Sequence, residues 1–273
     1  MSKEELVLLD ITPEGVATVT LNQPDVHNAF SAEVIERLDD IFEDLQGADG
    51  VHVVVLLGAG KSFSAGANLN WMKAAADYTE AENKEDSTFF SRMLNKLNTL
   101  PQVTIAAVQG PAVGGGTGLI AACDVAIGVA SSWFCFSEVK LGLIPAVISP
   151  YVVEAIGPRA ARRYFLTAER FGAEEACRLG LLHEVVADKA ALDAKVHELI
   201  GAVFQTAPGA VDAAKDLIRT VQHQEIDGGL ISETAKRIAE RRASDEGREG
   251  ISAFLEKRKP NWVREHEELA GDK

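Results

Sequence analysis

One carboxylate and two glycine-rich junctions carry the chemistry this sequence offers. The run Gln109-Gly110-Pro111-Ala112-Val113-Gly114-Gly115-Gly116-Thr117-Gly118-Leu119-Ile120 follows the apolar segment Val103 to Val108 and continues through Asp124 to Glu138, Gly142, Pro145 and Pro150. An apolar segment that breaks into consecutive glycines and resumes with small apolar residues reads as strand, tight turn, helix start. Glycines let another group approach the backbone, and a helix N-terminus presents unpaired N–H groups to a negatively charged oxygen. The implied chemistry is an oxyanion or phosphate cradle. Tight packing of a helix on a strand would use the same glycines.

The phosphate version fits two common templates poorly. A P-loop closes with Gly-Lys-Ser/Thr, and a dinucleotide site needs Gly-x-Gly-x-x-Gly with an acidic residue about 20 positions on. Gly114-Gly115-Gly116-Thr117-Gly118 closes without lysine, and Asp124 comes too soon. A second junction, Gly58-Ala59-Gly60-Lys61-Ser62-Phe63-Ser64-Ala65-Gly66-Ala67-Asn68-Leu69, follows the apolar run Val51 to Leu57. Strand, glycine loop and helix thus occur twice, without a sequence repeat.

The elements that must position these loops are legible around them. Leu6 to Thr12 and Val16 to Asn22 flank Pro13-Glu14-Gly15 and predict a hairpin. Ser31 and Glu33 open a helix whose apolar positions Val34, Ile35, Leu38, Ile41, Phe42 and Leu45 follow the 3.6 period. Val51 to Leu57 and Val103 to Val108 have the unbroken apolarity of strands buried on both faces. A polar helical stretch to Leu100 lies between them and carries Trp71, Met72, Phe89 and Phe90. Strand-like Val125 to Val129 and Trp133 to Phe136 precede Glu138, and a short strand is predicted at His183 to Val186. Helical periodicity covers Asp188 to Phe204, Ala210 to His223, Gly229 to Arg242 and the tail Gly250 to Pro260. The chain divides into an α/β core, 1–205, and a helical region, 206–273.

Composition narrows the function class. The chain has 273 residues, 47% hydrophobic and 25% charged, with a net charge of −14, so no basic stripe is present to neutralise nucleic-acid phosphates. No apolar run reaches the ~20 residues of a membrane span, and the start Met1-Ser2-Lys3-Glu4-Glu5 lacks a signal pattern. Cys123, Cys135 and Cys177 match neither a zinc pattern nor a disulfide framework. A cytoplasmic protein without metal, membrane or nucleic-acid partner is the expectation.

Three ordered motifs make the chain resemble the crotonase, or enoyl-CoA hydratase/isomerase, superfamily. They are Phe63-Ser64-Ala65-Gly66-Ala67-Asn68-Leu69, Gln109 to Gly116, and Phe136-Ser137-Glu138-Val139-Lys140-Leu141-Gly142-Leu143-Ile144-Pro145. The resemblance implies an α/β spiral of β-β-α units with a C-terminal helical region for oligomerisation into homotrimers or hexamers. It implies an acyl-CoA substrate, with coenzyme A as part of that substrate and no prosthetic group. By the same resemblance, the N–H groups of Ala67 and Gly115 form an oxyanion hole for the thioester oxygen, and Glu138 exchanges a proton at C2. His27, Asn28, Ala29, Ala65 and Asn68 map to the loops holding the coenzyme A arm, chiefly through backbone. Phe254 and Lys257 match C-terminal positions near coenzyme A. Asn68 stands where aspartate is usual in relatives; either residue caps a helix.

One departure bears on the reaction. Hydratases of this superfamily generally use a second glutamate two residues after the third glycine, and here that position is Gly118. A single base also suits an isomerase, a decarboxylase or a thioesterase, and a non-catalytic acyl-CoA-binding relative would keep the cradle alone. The segment Leu141 to Val153 resembles the bacterial methylglutaconyl-CoA and isohexenylglutaconyl-CoA hydratase branch. The expected activity is therefore hydration of a branched enoyl-CoA, with a distal substrate carboxylate, where there is one, taking the space left at Gly118 or helping to place the water. Trp71, Met72, Phe89 and Tyr151 are expected to set the acyl pocket. His183 is expected to be structural, Ser149 to be a helix N-cap, and Lys140 and Arg162 to be surface charges.

Overall fold

The chain opens with a hairpin because two β-branched runs flank a Pro-Glu-Gly turn. Strand β1, Val7–Ile11, pairs antiparallel with β2, Val16–Leu21, and in β2 the residues Ala17, Val19 and Leu21 are buried alternately. This computed structural model describes residues 2–271. Met1, Asp272 and Lys273, which bound the two expected regions, lie outside the described residues. A single helical turn, α1, Lys3–Leu6, precedes β1. Helix α2, Ala32–Gln46, is N-capped by Ser31, which accepts the Val34 N–H, and it buries Val34, Ile35, Leu38, Ile41, Phe42 and Leu45.

Strands β3, Val53–Gly58, and β4, Val103–Val108, continue a large parallel array. In this six-stranded sheet the strand order is β1-β2-β3-β4-β6-β9, where β6 is Val125–Val129 and β9 is Glu184–Val186. The central strands β3, β4 and β6 are almost wholly apolar because both of their faces are covered. Val54, Leu56, Ala106, Val108 and Ala126 share a core with α2, with α4, Glu80–Thr99, and with α5, Gly115–Ala122. Val53, Val55, Ile105, Ala107, Ile127 and Val129 face the other way, against Leu192 and Val196 of α8, Lys189–Val203.

A small second sheet is less visible in sequence. It consists of β5, Ala112–Val113, β7, Trp133–Cys135, and β8, Phe171–Gly172, with β5 and β7 parallel and β7 and β8 antiparallel. The sequence pattern predicts β7, within Trp133 to Phe136, but β5 and β8, of two residues each, have no periodicity to read. They complete the β-β-α turn, as in β4, β5 and α5, and so give the expected spiral.

Two boundaries differ from the sequence reading. The polar stretch before Leu100 is two helices, α3, Leu69–Ala75, and α4, because Thr79 and Glu82 form a capping box that starts α4 afresh. Helix α6, Ser149–Thr167, has Ile148 as its N-cap, so Ser149 is not the cap. Its hydroxyl donates to the Ala146 carbonyl at 2.8 Å, turned back into the loop. Pro150 in the first turn sets the helical φ, and the cap position is left to a side chain that packs.

Helix α7, Ala173–Leu179, and β9 follow, then the C-terminal helices α9, Pro208–Val221, α10, Gly228–Ala243, α11, Asp245–Glu256, and α12, Asn261–Gly271. The tail helix read at Gly250 to Pro260 is the second half of α11, which starts earlier, at Asp245, and ends before Lys257 at φ 55°; α12 lies beyond it. Buried Lys215 ties α9 to the large sheet: its Nζ lies 2.6 Å from Asp124 Oδ2 and donates to the Gln102 carbonyl at 2.8 Å. Asp124 Oδ2 also accepts the Thr104 N–H and hydroxyl. All three cysteines are free thiols. Among the described residues no helix is long and apolar enough to cross a membrane, and no group of three or more His, Cys, Asp or Glu could hold a metal ion.

Candidate active site

The two glycine loops are joined backbone to backbone. Val113 N–H donates to the Ser64 carbonyl at 2.9 Å, and Phe63 N–H to the Pro111 carbonyl at 3.0 Å. Gly66, at φ +83°, lies so near this seam that a methyl group on it would stand 2.9 Å from the Val113 carbonyl oxygen. Gly66 and Asn68 are fixed in turn by Phe30, whose N–H donates to the Gly66 carbonyl and whose carbonyl accepts the Asn68 N–H, each at 2.7 Å. Ala67 is left between them with an N–H that meets no acceptor among the described residues. Gly115, the first residue of α5, has the same property, as helix geometry demands of an N-terminal N–H.

Glu138 enters this corner from the end of β7. It begins a 3-10 turn, Glu138–Leu141, that Gly142 closes in the left-handed conformation. Gly114 N–H donates to the Cys135 carbonyl at 2.9 Å, which fixes the start of α5 beside that turn. The Glu138 carboxylate packs on Gly114, and its Oε2 is buried without a hydrogen-bond partner among the described residues. Burial pushes its pKa above the ordinary carboxylate value, opposed only by its own backbone N–H. A carboxylate so placed takes up a proton more readily than one in water, and it lies against Gly114, the residue before Gly115.

Gly118 stands one turn further along the same face of α5, its N–H donating to the Gly114 carbonyl at 3.3 Å. The space beside it is not open. A methyl group on Gly118 would lie 2.2 Å from Ile148 Cγ2 and 2.9 Å from Ile148 Cβ, with Leu94 Cδ1 at 3.7 Å. The expectation that a distal substrate carboxylate takes this space is therefore corrected: buried aliphatic side chains fill it, and they offer a carboxylate no hydrogen bond.

The remaining expected residues fall into two groups. His27 and Asn28 both sit at φ 54°, and the His27 carbonyl accepts the Ala65 N–H at 2.8 Å. The Asn28 amide is a buried brace: Oδ1 accepts the Gln23 N–H, while Nδ2 donates to the Ala59 and Ser62 carbonyls. His27 Nδ1 lies 3.0 Å from Ser62 Oγ, and Asn68 caps α3 by accepting the Asn70 N–H. With Ala29, these residues form one rim with the Gly66 loop. Phe254 is on α11, which packs on α9 and α10, and Lys257 is the left-handed residue that ends it; Phe254 is 82% exposed. No hydrogen bond or ion pair among the described residues joins them to the rim.

Of the pocket candidates, Trp71 and Phe89 pack partly buried on the main core, and Trp71 Nε1 donates to Asp86 Oδ1 at 3.3 Å. Tyr151 lines a separate cavity of about 810 Å³ with Asp124, His183 and Lys215, one that Glu138, Ala67 and Gly115 do not line. His183 is built into the sheet, its Nδ1 accepting the Ala126 N–H at 3.1 Å. Lys140 and Arg162 are exposed. Sequence reasoning missed Ile148 and Leu94 at Gly118, and Phe30 and Phe90, whose rings pack on Gly115. The only available signal for Ile148 was an apolar pair, Val147-Ile148, inside a loop bounded by Pro145 and Pro150.

Comparison with known proteins agrees with this arrangement. The enoyl-CoA hydratase/isomerase family pattern matches residues 12–265. The structure of an enoyl-CoA hydratase from Shewanella pealeana is 40% identical and superimposes with a TM-score of 0.91, covering 96% of this chain and 100% of that one. Pseudomonas aeruginosa AtuE is 37% identical with a TM-score of 0.91, covering 95% of this chain and 100% of that one. The short-chain-enoyl-CoA hydratase of Clostridium acetobutylicum is 31% identical over 258 residues, 93% of this chain and 97% of that protein. With its β-β-α spiral and its two backbone-joined glycine loops, the chain belongs to the enoyl-CoA hydratase/isomerase family.

Proposed function

We propose that this protein adds water across the C2=C3 bond of a branched, methylglutaconyl-like enoyl-CoA, using Glu138 as its only acid and base. The observation that carries this reading is the buried Oε2 of Glu138, whose carboxylate packs on Gly114; like the Ala67 and Gly115 N–H groups, it has no hydrogen-bond partner among the described residues. The thioester oxygen accepts both N–H groups. As water bonds to C3, its proton passes to Glu138, and the C2=C3 electron pair moves to give the thioester enolate. Glu138 then returns the proton to C2, so that one water is added and the carboxylate is regenerated. Burial favours the protonated intermediate form of Glu138, and each aimed N–H is worth about 3 to 4 kcal/mol of transition-state stabilisation.

His27, Asn28, Ala29, Ala65 and Asn68 hold the coenzyme A arm of the substrate, and Phe254 and Lys257 approach it across a subunit boundary in a cytoplasmic homotrimer or hexamer. Exposed Ile226, Phe254 and Leu255 on and beside the C-terminal helices support self-association, since such apolar surface is otherwise left in water. The branched acyl class is supported by the resemblance of Leu141 to Val153 noted above.

A second reading, isomerisation of a 3-enoyl-CoA, is favoured by Ile148 filling the place beside Gly118. Glu138 would then carry one proton from C4 to C2. Ultraviolet absorbance separates the two: the conjugated thioester band falls on hydration of 3-methylglutaconyl-CoA and rises when a 3-enoyl-CoA is isomerised. Loss of hydration in Glu138→Gln by about 10² or more, with acyl-CoA binding retained, supports the role of Glu138. Unimpaired hydration in that variant sinks it.

A further inference from the structure

Gly114 and Gly118 lie one helical turn apart, and each receives one side chain from the 138–148 segment: Gly114 the Glu138 carboxylate, Gly118 the Ile148 side chain. The absence of a side chain at 118 and the presence of a branched one at 148 are therefore a single packing arrangement. Ile148 is 2% exposed and Leu94 0%, so neither a second polar side chain nor water has room there.

The geometry points to Ile148 as the residue that decides the chemistry of this site: it seats itself on Gly118, closes the place of a second carboxylate, and leaves Glu138 to make every proton transfer. This rests on the single-carboxylate reading given above. Ile148 is a positioning and specificity residue rather than a catalytic one. As N-cap of α6 it is held by the helix that follows, and its β-branch brings Cγ2 toward α5.

The test is a double-mutant cycle. Glycine is the required partner at 148, because even the Cβ of Ile148 would stand 2.9 Å from a methyl group at 118. Gly118→Ala is expected to lower Tm and kcat/KM, and adding Ile148→Gly is expected to recover part of both. Gly118→Glu alone is expected to hydrate crotonyl-CoA poorly. Gly118→Glu with Ile148→Gly is expected to do so about tenfold or more faster, the scale of coupling between residues in contact. Its kcat/KM pH profile should gain a second carboxyl ionisation that the wild type lacks. Additive effects in both cycles, or a Gly118→Ala protein with unchanged Tm, overturn the proposal. A wild-type chain that binds acyl-CoA yet converts no enoyl-CoA overturns the hydratase reading instead; the Tm cycle then still reports whether Ile148 bars position 118.

Discussion

The carboxylate of Glu138 rests on the bare Cα of Gly114, so closely that a methyl group there would stand 2.9 Å from Oε1. Gly114 also has φ +51° and ψ −119°, a conformation that a residue with a Cβ adopts only under strain. Gly114→Ala is thus expected to displace both the base and the start of α5. It should cost about 1–3 kcal/mol in stability and a larger share of kcat than of KM, read by thermal unfolding and steady-state kinetics. A variant with native kcat would show that Glu138 does not depend on this contact.

Glu138 should also give up stability for function. Its folded pKa is raised by burial, so the folded state binds the proton more tightly than the unfolded chain. The sign follows: below the unfolded carboxyl pKa both states are protonated and no penalty exists. As pH rises through the folded pKa, the buried group ionises and stability falls. Glu138→Gln is therefore expected to raise Tm at neutral pH, with the gain vanishing in acid. A Tm gain independent of pH would contradict the burial argument.

Asn28 braces its own loop and ties it to the Gly58 to Leu69 junction through one amide. Asn28→Ala removes its bonds to Gln23 N–H and to the Ala59 and Ser62 carbonyls in a buried setting. Each buried group left unpaired costs about 1–3 kcal/mol, so the variant should lose stability and bind acyl-CoA more weakly through a loosened rim. Calorimetric titration with a non-reactive acyl-CoA measures the second effect; unchanged affinity would separate the brace from the binding loops.

Lys215 anchors the C-terminal helices. Lys215→Ala leaves Asp124 without its cation and the Gln102 carbonyl without its donor, at an expected cost of about 3 kcal/mol. If α9 supports assembly, sedimentation of the variant should show smaller species at the same concentration. A variant of native Tm would mean that the ion pair contributes no net stability.

Much of this was readable in one dimension because it is governed by local rules. The six apolar positions of α2 are the six it buries, and the Ser31 cap stands where a hydroxyl before the periodic residues placed it. The apolar runs became parallel strands because uninterrupted apolarity has one common use in an α/β chain, coverage on both faces. Ser149 shows the limit. Its type and place beside Pro150 marked a cap, but the packing of Ile148 on α5 set the helix start one residue earlier.

The sequence by itself determined the family, the strand and helix content, the two glycine junctions and the single carboxylate, since each is written in residue type and spacing. Only the tertiary structure decided what stands beside Gly118, and that Lys215 reaches Asp124 from 91 residues away. Both are contacts between distant segments, fixed by packing in three dimensions rather than by any local preference. The glycine run marked where a backbone could be approached; the fold chose a carboxylate to approach it at Gly114 and an isoleucine at Gly118.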